Sequence, residues 1–293
     1  MSDRFPVEHL LALATLRLDA GDVTRGTAFF VAPDYAVTAA HVVRGVTGGQ
    51  IHLTGRIGTW TGQVEDIRPP VRAHPPSQDK PYPPPDVALI RVDQGPAHMC
   101  ALLGNRRPAS GTRVLARGHS RALGGPAVTA ETESFTLTGE LETPDPDCTL
   151  LKLGLGQAVE GMSGAPVLNI SSGEVIGMLR TSRDVGANLG AWVVPAGLIR
   201  ELWPAEVSFG NDRFHAQDER WRHASSRTAD VAQQKPPVAP PMPEAGVSIG
   251  NIKGGGPVTV ITGGNFGDLT IGTPPPNGRG HPRGGEDADG GRC

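Results

Sequence analysis

A histidine, an aspartate and a serine occur in that order along this chain, and each stands at the edge of a short apolar run of β type. His41 closes the sequence Thr-Ala-Ala-His just after one such run, and Asp86 immediately precedes the run Val-Ala-Leu-Ile. Ser163 lies between two glycines in the sequence Gly-Met-Ser-Gly-Ala-Pro. Fragments of this kind, at this spacing, favour an all-β chain that builds two small barrels in succession.

Short β-type runs separated by turn residues fill the first 200 positions and predict an all-β fold of two six-stranded antiparallel barrels. The runs predicted for the first barrel are residues 11–19, 26–32, 35–38, 51–53, 58–64 and 86–92. Those predicted for the second barrel are residues 113–118, 135–142, 149–153, 165–169, 174–181 and 191–195. A short helix is expected at residues 198–203, where Pro204 stops it.

The composition changes after the second set of runs. The 293-residue chain carries 40 glycines and 28 prolines, and Pro, Gly and charged residues dominate from Pro204 onward. We therefore expect a folded domain at residues 1–205 and a polar, Pro-rich linker at residues 206–245. A short β-aggregation motif is expected at residues 246–273, followed by a disordered tail at residues 274–293.

Charge and cysteine content argue against several kinds of partner. The formal net charge is -3 and there is no basic stripe, so we expect no nucleic-acid partner. We expect no cofactor and no metal, because the sequence has no phosphate loop, dinucleotide fingerprint or zinc-ligand spacing. The cysteines, Cys100, Cys148 and Cys293, do not suggest a disulfide framework, and a single Cys100–Cys148 bond stays open.

The N-terminal sequence predicts neither an export signal nor a membrane span. Its apolar stretch at residues 7–18 is interrupted by Glu8, His9 and Arg17, and no small-residue cleavage site follows. The stretch is also too short to cross a bilayer as a helix. We therefore expect a cytoplasmic location.

Four segments together resemble the trypsin-like serine peptidases, over roughly residues 8–203. They are residues 26–29 (GTAF), 38–41 (TAAH), 86–90 (DVALI) and 161–167 (GMSGAPV). The resemblance implies a triad in which Ser163 is the nucleophile, His41 the general base and Asp86 the residue that orients the imidazole. It also implies an oxyanion loop of Gly161, Met162 and Ser163, in which the N–H groups of Gly161 and Ser163 are the donors.

This sequence departs from the secreted trypsins at a position that controls their activation. Met162 stands where those enzymes carry an aspartate that pairs with a newly cut N-terminus, so activation by N-terminal insertion is not expected. The resemblance assigns the substrate pocket to Gln157 at its base and to Met178, Arg180 and Ala191 as its walls. Because Gln157 is not a carboxylate, no preference for Arg or Lys at the cleaved bond is implied.

The nearest competing motif is the Gly-X-Ser-X-Gly nucleophile elbow of the α/β-hydrolases. Ala165 occupies the position of its final glycine. The histidines that follow Ser163 lie in the polar C-terminal region, at His215, His223 and His281, so the order Ser-Asp-His has no candidate base. The α/β-hydrolase interpretation is therefore not favoured.

The C-terminal region contains two alternating β-branched runs, residues 247–252 and 258–262, followed by a Gly- and Asn-containing stretch at residues 263–272. Low charge, high β propensity and regularly placed Asn suit the stacking of identical copies. The stretch resembles the amyloid signalling motifs of bacterial effector proteins and of the NLR-like receptors that trigger them. The resemblance implies self-assembly or an NLR-like receptor partner through residues 246–273; the alternative is a Gly-rich linker or a hairpin lying on the barrel.

These features predict a cytoplasmic bacterial serine endopeptidase that cleaves protein or peptide substrates. Its expected role is that of an effector in conflict or regulated cell death, controlled by C-terminal assembly. One alternative is a housekeeping protease of the HtrA kind, which predicts a peptide-binding PDZ module after the barrels. Another is an inactive peptidase fold that serves as a binding module.

Overall fold

The computed structural model describes residues 6–21, 23–46, 50–70, 82–93, 99–120, 128–182, 190–221 and 223–224. Within them the chain forms two closed barrels of six antiparallel strands each. Neighbouring strands in the first barrel follow the order Thr15–Ala20, Val23–Ala32, Tyr35–Thr38, Val87–Val92, Gly58–Arg68 and Ile51–Gly55. Those in the second follow the order Pro166–Asn169, Val175–Ser182, Ala191–Pro195, Thr149–Gly154, Thr129–Glu142 and Arg113–Ser120. The prediction of an all-β fold of two six-stranded barrels is therefore confirmed.

A short helix, α1 (Val7–Ala14), precedes the first barrel. That barrel consists of β1 (Thr15–Ala20), β2 (Val23–Ala32), β3 (Tyr35–Thr38), β4 (Ile51–Gly55), β5 (Gly58–Arg68) and β6 (Val87–Val92). The second consists of β7 (Arg113–Ser120), β8 (Thr129–Glu142), β9 (Thr149–Gly154), β10 (Pro166–Asn169), β11 (Val175–Ser182) and β12 (Ala191–Pro195).

The N-terminal helix corrects the strand predicted at residues 11–19. Val7, Leu10, Leu11 and Ala14 are buried and follow helical spacing, and the extended backbone starts only at Thr15. The Leu11 carbonyl accepts from the backbone N–H of Thr15 and, at 2.7 Å, from the Thr15 hydroxyl, so two hydrogen bonds close the last turn of the helix. The strand prediction is confirmed for residues 15–19 and wrong for residues 11–14, because a short apolar run fits a helix and a strand equally well.

The pattern of buried residues differs between strands β7 and β6. In β7, buried and less buried residues alternate along the strand, as expected when one face of a pleated strand packs into a core. β6 differs, because Val87, Ala88, Leu89 and Ile90 are all fully buried in sequence. It pairs with β3 on one side and β5 on the other. Asp86, which immediately precedes β6, is therefore attached to one of the most constrained strands of the fold.

The folded unit continues past residue 205, where the sequence predicted a linker. Helix α2 (Ala196–Leu202) is followed by a π-helical turn, Pro204–Phe209, and by helix α3 (Gly210–Gln217). Buried Asn211 donates to the Val31 and Ala101 carbonyls, both at 2.7 Å, and its Oδ1 accepts from the backbone N–H of Leu103 at 3.2 Å.

Trp221 extends this packing further along the chain. It is fully buried, and its indole N–H donates to the Gly173 carbonyl at 2.8 Å. The linker prediction missed this packing because the helical segment is polar on average, and only a few of its residues face the barrels. The segments predicted at 246–273 and 274–293 lie outside the described residues.

The remaining sequence-based expectations concern cysteines and membrane spans. The disulfide left open between Cys100 and Cys148 is not formed, and both cysteines are buried. Cys293 lies outside the described residues. Among the helices of the described ranges, none is long and apolar enough to span a membrane.

Candidate active site

Asp86 and His41 meet at the start of β6 and the end of β3. The imidazole Nδ1 lies 2.8 Å from Asp86 Oδ2, and the backbone N–H of His41 donates to Asp86 Oδ1 at 3.0 Å. Because a carboxylate only accepts hydrogen bonds, this contact holds the ring proton on Nδ1 and leaves Nε2 able to accept one. The His41 side chain is 33% exposed and that of Asp86 only 2%, so the imidazole is accessible from outside while the carboxylate is buried.

The backbone of Asp86 has a left-handed conformation, with φ of 59°. Aspartate and asparagine tolerate this region better than most residues other than glycine. The Asp86 carbonyl also accepts from the backbone N–H of Ala40 at 3.2 Å. Three hydrogen bonds therefore join Asp86 to the segment that carries His41, and they fix the direction of its carboxylate.

Arg180, which the sequence assigned to the wall of a substrate pocket, instead contacts Asp86. Its Nε lies 3.0 Å from Asp86 Oδ2, although the N–H does not point at the oxygen in hydrogen-bond geometry. Its terminal nitrogen Nη2 donates to the carbonyl of Tyr82. The Arg180 side chain is only 9% exposed, so the guanidinium is an ion-pair partner of the buried carboxylate and does not line an open pocket.

The other residues predicted for the pocket also change their assignment. Met178 and Ala191 are both fully buried within the packed interior. A side chain without exposed surface cannot contact a substrate, so these two are core residues. Gln157 is exposed and stays a candidate for contact with a substrate.

Ser163 is held beside the His41 segment by close backbone packing. Its carbonyl accepts from the backbone N–H of Thr27 in β2 at 3.0 Å. A Cβ atom on Gly26 would lie 3.0 Å from the Val42 side chain and 3.1 Å from the Ser163 carbonyl oxygen, so Gly26 packs tightly between them. Val42 follows His41 directly in the chain, and the packing therefore brings Ser163 close to the His41 segment.

The described residues show no hydrogen bond between the Ser163 hydroxyl and the His41 ring. In serine peptidases without a bound ligand such contacts are often long, and they shorten when a substrate is present.

The loop before Ser163 carries the two backbone N–H groups that the sequence predicted to bind an oxyanion. Gly161 has φ of 96°, which residues with a Cβ rarely adopt, and the N–H of Met162 donates to the Val159 carbonyl at 3.1 Å. Within the described residues, the N–H groups of Gly161 and Ser163 donate to no carbonyl. They are therefore available to an oxyanion. Met162 itself is fully buried in the core of the second barrel.

Two residues hold positions beside this site that the sequence did not predict. One is Arg180, a charged residue at the end of an otherwise apolar run, and such a position is a sign of a buried partner. The other is Thr27, a hydroxyl residue in an apolar strand, whose side chain bonds to the oxyanion loop. No group of three or more His, Cys, Asp or Glu side chains with a metal-binding arrangement occurs in the part of the chain that the structure describes.

His119 lies beside the oxyanion loop, and its ring binds a proton less readily than an ordinary histidine. Burial, with nearby Arg117 and Arg17, lowers the pKa of its ring from 6.5 to about 4. Its backbone carbonyl would lie 2.4 Å from a Cβ placed on Gly161, so β7 presses closely on the loop. His119 is therefore neutral at physiological pH and acts as a packing neighbour of the site.

Comparison of the described fold with solved structures gives matches of low sequence identity. The Rv3671c protease from M. tuberculosis in its active form is 20% identical, with 69% of this chain and 84% of that chain covered and a TM-score of 0.51. A serine endoprotease from Yersinia pestis is 18% identical, with coverage of 70% and 68% and a TM-score of 0.51. The HtrA-type protease AlgW, solved with a decapeptide, is 15% identical, with coverage of 70% and 69% and a TM-score of 0.52. At such identities the likeness shows the fold.

A comparison with curated protein sequences finds no match. The sequence does match the trypsin-like peptidase domain over residues 26–178, a range that includes His41, Asp86 and Ser163. The chain therefore belongs to the trypsin-like peptidase family, and it is a serine endopeptidase.

Proposed function

We propose that this endopeptidase cleaves peptide bonds with Ser163 as nucleophile, His41 as general base and Asp86 as the residue that orients the base. The observation that carries the proposal is the double contact of the Asp86 carboxylate with His41, to its backbone N–H at 3.0 Å and to Nδ1 at 2.8 Å. A buried carboxylate held in this way fixes the tautomer that can take a proton from a serine hydroxyl.

The proton and bond changes follow from this arrangement. Ser163 Oγ attacks the carbonyl carbon of the cleaved bond while His41 Nε2 removes the hydroxyl proton, and Asp86 stabilises the imidazolium that forms. The tetrahedral intermediate collapses when His41 returns the proton to the leaving amine. Water then attacks the acyl-enzyme with the same base, which releases the acid product and restores the serine.

The oxyanion of each tetrahedral intermediate is stabilised by the N–H groups of Gly161 and Ser163. Donors that are aimed before the reaction do not have to reorganise as negative charge develops. Removal of one such donor typically slows catalysis about 100- to 1000-fold.

The biological part of the proposal concerns the C-terminal region. We propose that the enzyme acts in the bacterial cytoplasm as an effector in conflict or regulated cell death, and that assembly through residues 246–273 controls it. The support is the sequence pattern of that segment, which lies outside the described residues. Assembly with a receptor that carries a similar motif would raise the local concentration of peptidase domains.

The catalytic assignment is tested with a fluorophosphonate probe on the purified full-length protein. We expect one adduct, at Ser163, and none in Ser163→Ala. His41→Ala should label at least 100-fold more slowly, because the base is lost. His52→Ala, in β4, is the matched control and should label at the normal rate. Absence of labelling in the native protein would favour the inactive binding module.

Assembly is tested by comparing the full-length protein with a version that ends at residue 245. We expect seeds made from a peptide of residues 244–275 to convert only the full-length protein to fibrils with reflections near 4.7 and 10 Å. Equal behaviour of both proteins would contradict control by this segment. Such a result would favour an HtrA-like or otherwise unregulated peptidase, whereas the active-site assignment would be unaffected.

A further inference from the structure

One buried threonine of the first barrel makes four hydrogen bonds at the edge of the catalytic loop. Thr27 is fully buried, and its backbone N–H donates to the Ser163 carbonyl at 3.0 Å. Its hydroxyl donates to the Gly161 carbonyl at 2.8 Å and accepts from the backbone N–H of His119 at 2.8 Å. Its own carbonyl accepts from the Thr38 hydroxyl at 2.7 Å.

The hydroxyl of Thr27 acts on the peptide unit between the two oxyanion donors. That unit joins Gly161 to Met162, with its carbonyl bonded to Thr27 and its N–H bonded to the Val159 carbonyl at 3.1 Å. The donors are the N–H groups of Gly161 and Ser163, one on each side of it. A peptide unit fixed at both its polar groups cannot rotate without breaking a hydrogen bond, so it restricts the two neighbouring peptide units that carry the donors.

Close packing leaves the loop little room to adjust in another way. A Cβ on Gly164 would lie 1.9 Å from the Thr27 carbonyl oxygen and 2.6 Å from the Thr38 hydroxyl. The loop therefore lies directly against β2. In this closely packed region, the Thr27 hydroxyl is the only side-chain group of the described residues that bonds to the Gly161 carbonyl.

We propose that Thr27 is a positioning residue for the oxyanion site, and that its hydroxyl holds the Gly161–Met162 peptide in the orientation that catalysis requires. This inference rests on the proposed catalytic function. Thr27 touches no substrate and acts through the loop. It gives the second barrel a support from the first, at the loop where Met162 provides no charge for an ion pair.

The inference accounts for the hydroxyl itself, beyond the need to fill space. Valine has nearly the same shape as threonine but would leave the Gly161 carbonyl and the His119 N–H without this partner. The Gly161–Met162 peptide is then held at only one of its polar groups, so the neighbouring donors are less firmly oriented toward the oxyanion. Serine keeps the hydroxyl and loses only a methyl group.

The test measures phosphonylation of Ser163 by a fluorophosphonate at several probe concentrations in the full-length protein. In this reaction Ser163 Oγ bonds to phosphorus, fluoride leaves, the hydroxyl proton passes to His41, and negative charge develops on the phosphoryl oxygen. Saturation kinetics separate the rate constant of the bound probe from its binding constant. Only the first quantity should depend on the oxyanion donors.

We expect Thr27→Val to lower the rate constant of the bound probe about 10- to 100-fold while its binding constant changes less than about threefold. Thr27→Ser should restore the rate to within about threefold of the native value. The matched control is Thr15→Val, which also removes one buried hydroxyl bonded to a backbone carbonyl, at 2.7 Å, but in β1. It should leave both constants unchanged.

The outcomes separate this inference from the catalytic proposal. If the native protein labels and Thr27→Val labels at the same bound rate, Thr27 has no positioning role. If the native protein does not label, the catalytic proposal fails and this inference fails with it. If Thr27→Val does not fold, Thr27→Cys replaces it, because its S–H group is only a weak hydrogen-bond donor. We then expect the bound probe to react more slowly with the cysteine variant than with the serine variant. A cysteine variant as fast as native protein would overturn the proposal.

Discussion

Replacing Arg180 with methionine would leave the Asp86 carboxylate buried without its cation. At 3.0 Å and an effective dielectric constant of about 20, the attraction between the two charges is about 5 kcal/mol before desolvation is considered. The side chains are 9% and 2% exposed, so neither charge regains water when its partner is removed. Breaking such a pair typically costs about 3 to 5 kcal/mol, and because His41 still donates to Asp86 we expect about 3 kcal/mol.

The coupling between the two charges is measured by a double-mutant cycle of Arg180→Met and Asp86→Asn. Every protein in the cycle also carries Ser163→Ala, which prevents self-cleavage. Urea unfolding is followed by tryptophan fluorescence and by far-UV circular dichroism, whose agreement checks two-state behaviour. We expect the double variant to be more stable than the sum of the single effects predicts, by about 2 to 3 kcal/mol, since it leaves no isolated charge.

An exposed ion pair of similar length provides the control. Arg107 and Glu140 lie 3.2 Å apart, but their side chains are 70% and 39% exposed. Water screens such a pair, and its coupling should stay below about 1 kcal/mol. If the Arg180–Asp86 coupling is no larger than that of this control, burial does not strengthen the pair and our reasoning about the site is refuted.

Three further predictions concern stability, each measured by urea unfolding in the Ser163→Ala protein. Gly164→Ala should lower the free energy of unfolding by at least about 3 kcal/mol, because φ is +91° and the new Cβ would meet the Thr27 carbonyl oxygen. Gly45→Ala, at φ +79° in open space, should lower it by only about 1 to 2 kcal/mol. Equal losses would contradict the role of close packing. Asn211→Ala should cost about 3 kcal/mol, because three buried hydrogen bonds to backbone groups are lost, and a cost below about 1 kcal/mol would mean that water replaces the amide. Unfolded histidine binds a proton near pH 6.5 that folded His119 binds only near pH 4, so stability should fall by up to about 3 kcal/mol as the pH falls through that window. His119→Gln should remove this component, and an unchanged pH dependence would show that the ring is not desolvated.

Local patterns predicted much of this protein. Period-two alternation and turn residues indicate strands, and the motifs around His41, Asp86 and Ser163 indicate where the chemistry lies. These features can be identified from sequence because each depends on neighbouring residues only. The same logic explains the error at residues 11–19, where helix α1 occupies part of an apolar run too short to distinguish the two periods.

The contacts that complete the site were decided by the tertiary structure. The Thr27 hydroxyl bonds to the carbonyl of Gly161, 134 positions away, and such a pair meets only when the two barrels pack against each other. Arg180 contacts Asp86 for the same reason, although sequence alone assigned it to a pocket wall. The sequence thus determined which polar and charged side chains are present and which strands carry them. Barrel closure and packing decided which of them are buried together, because burial and hydrogen-bond partners depend on surfaces brought together only after the chain has folded.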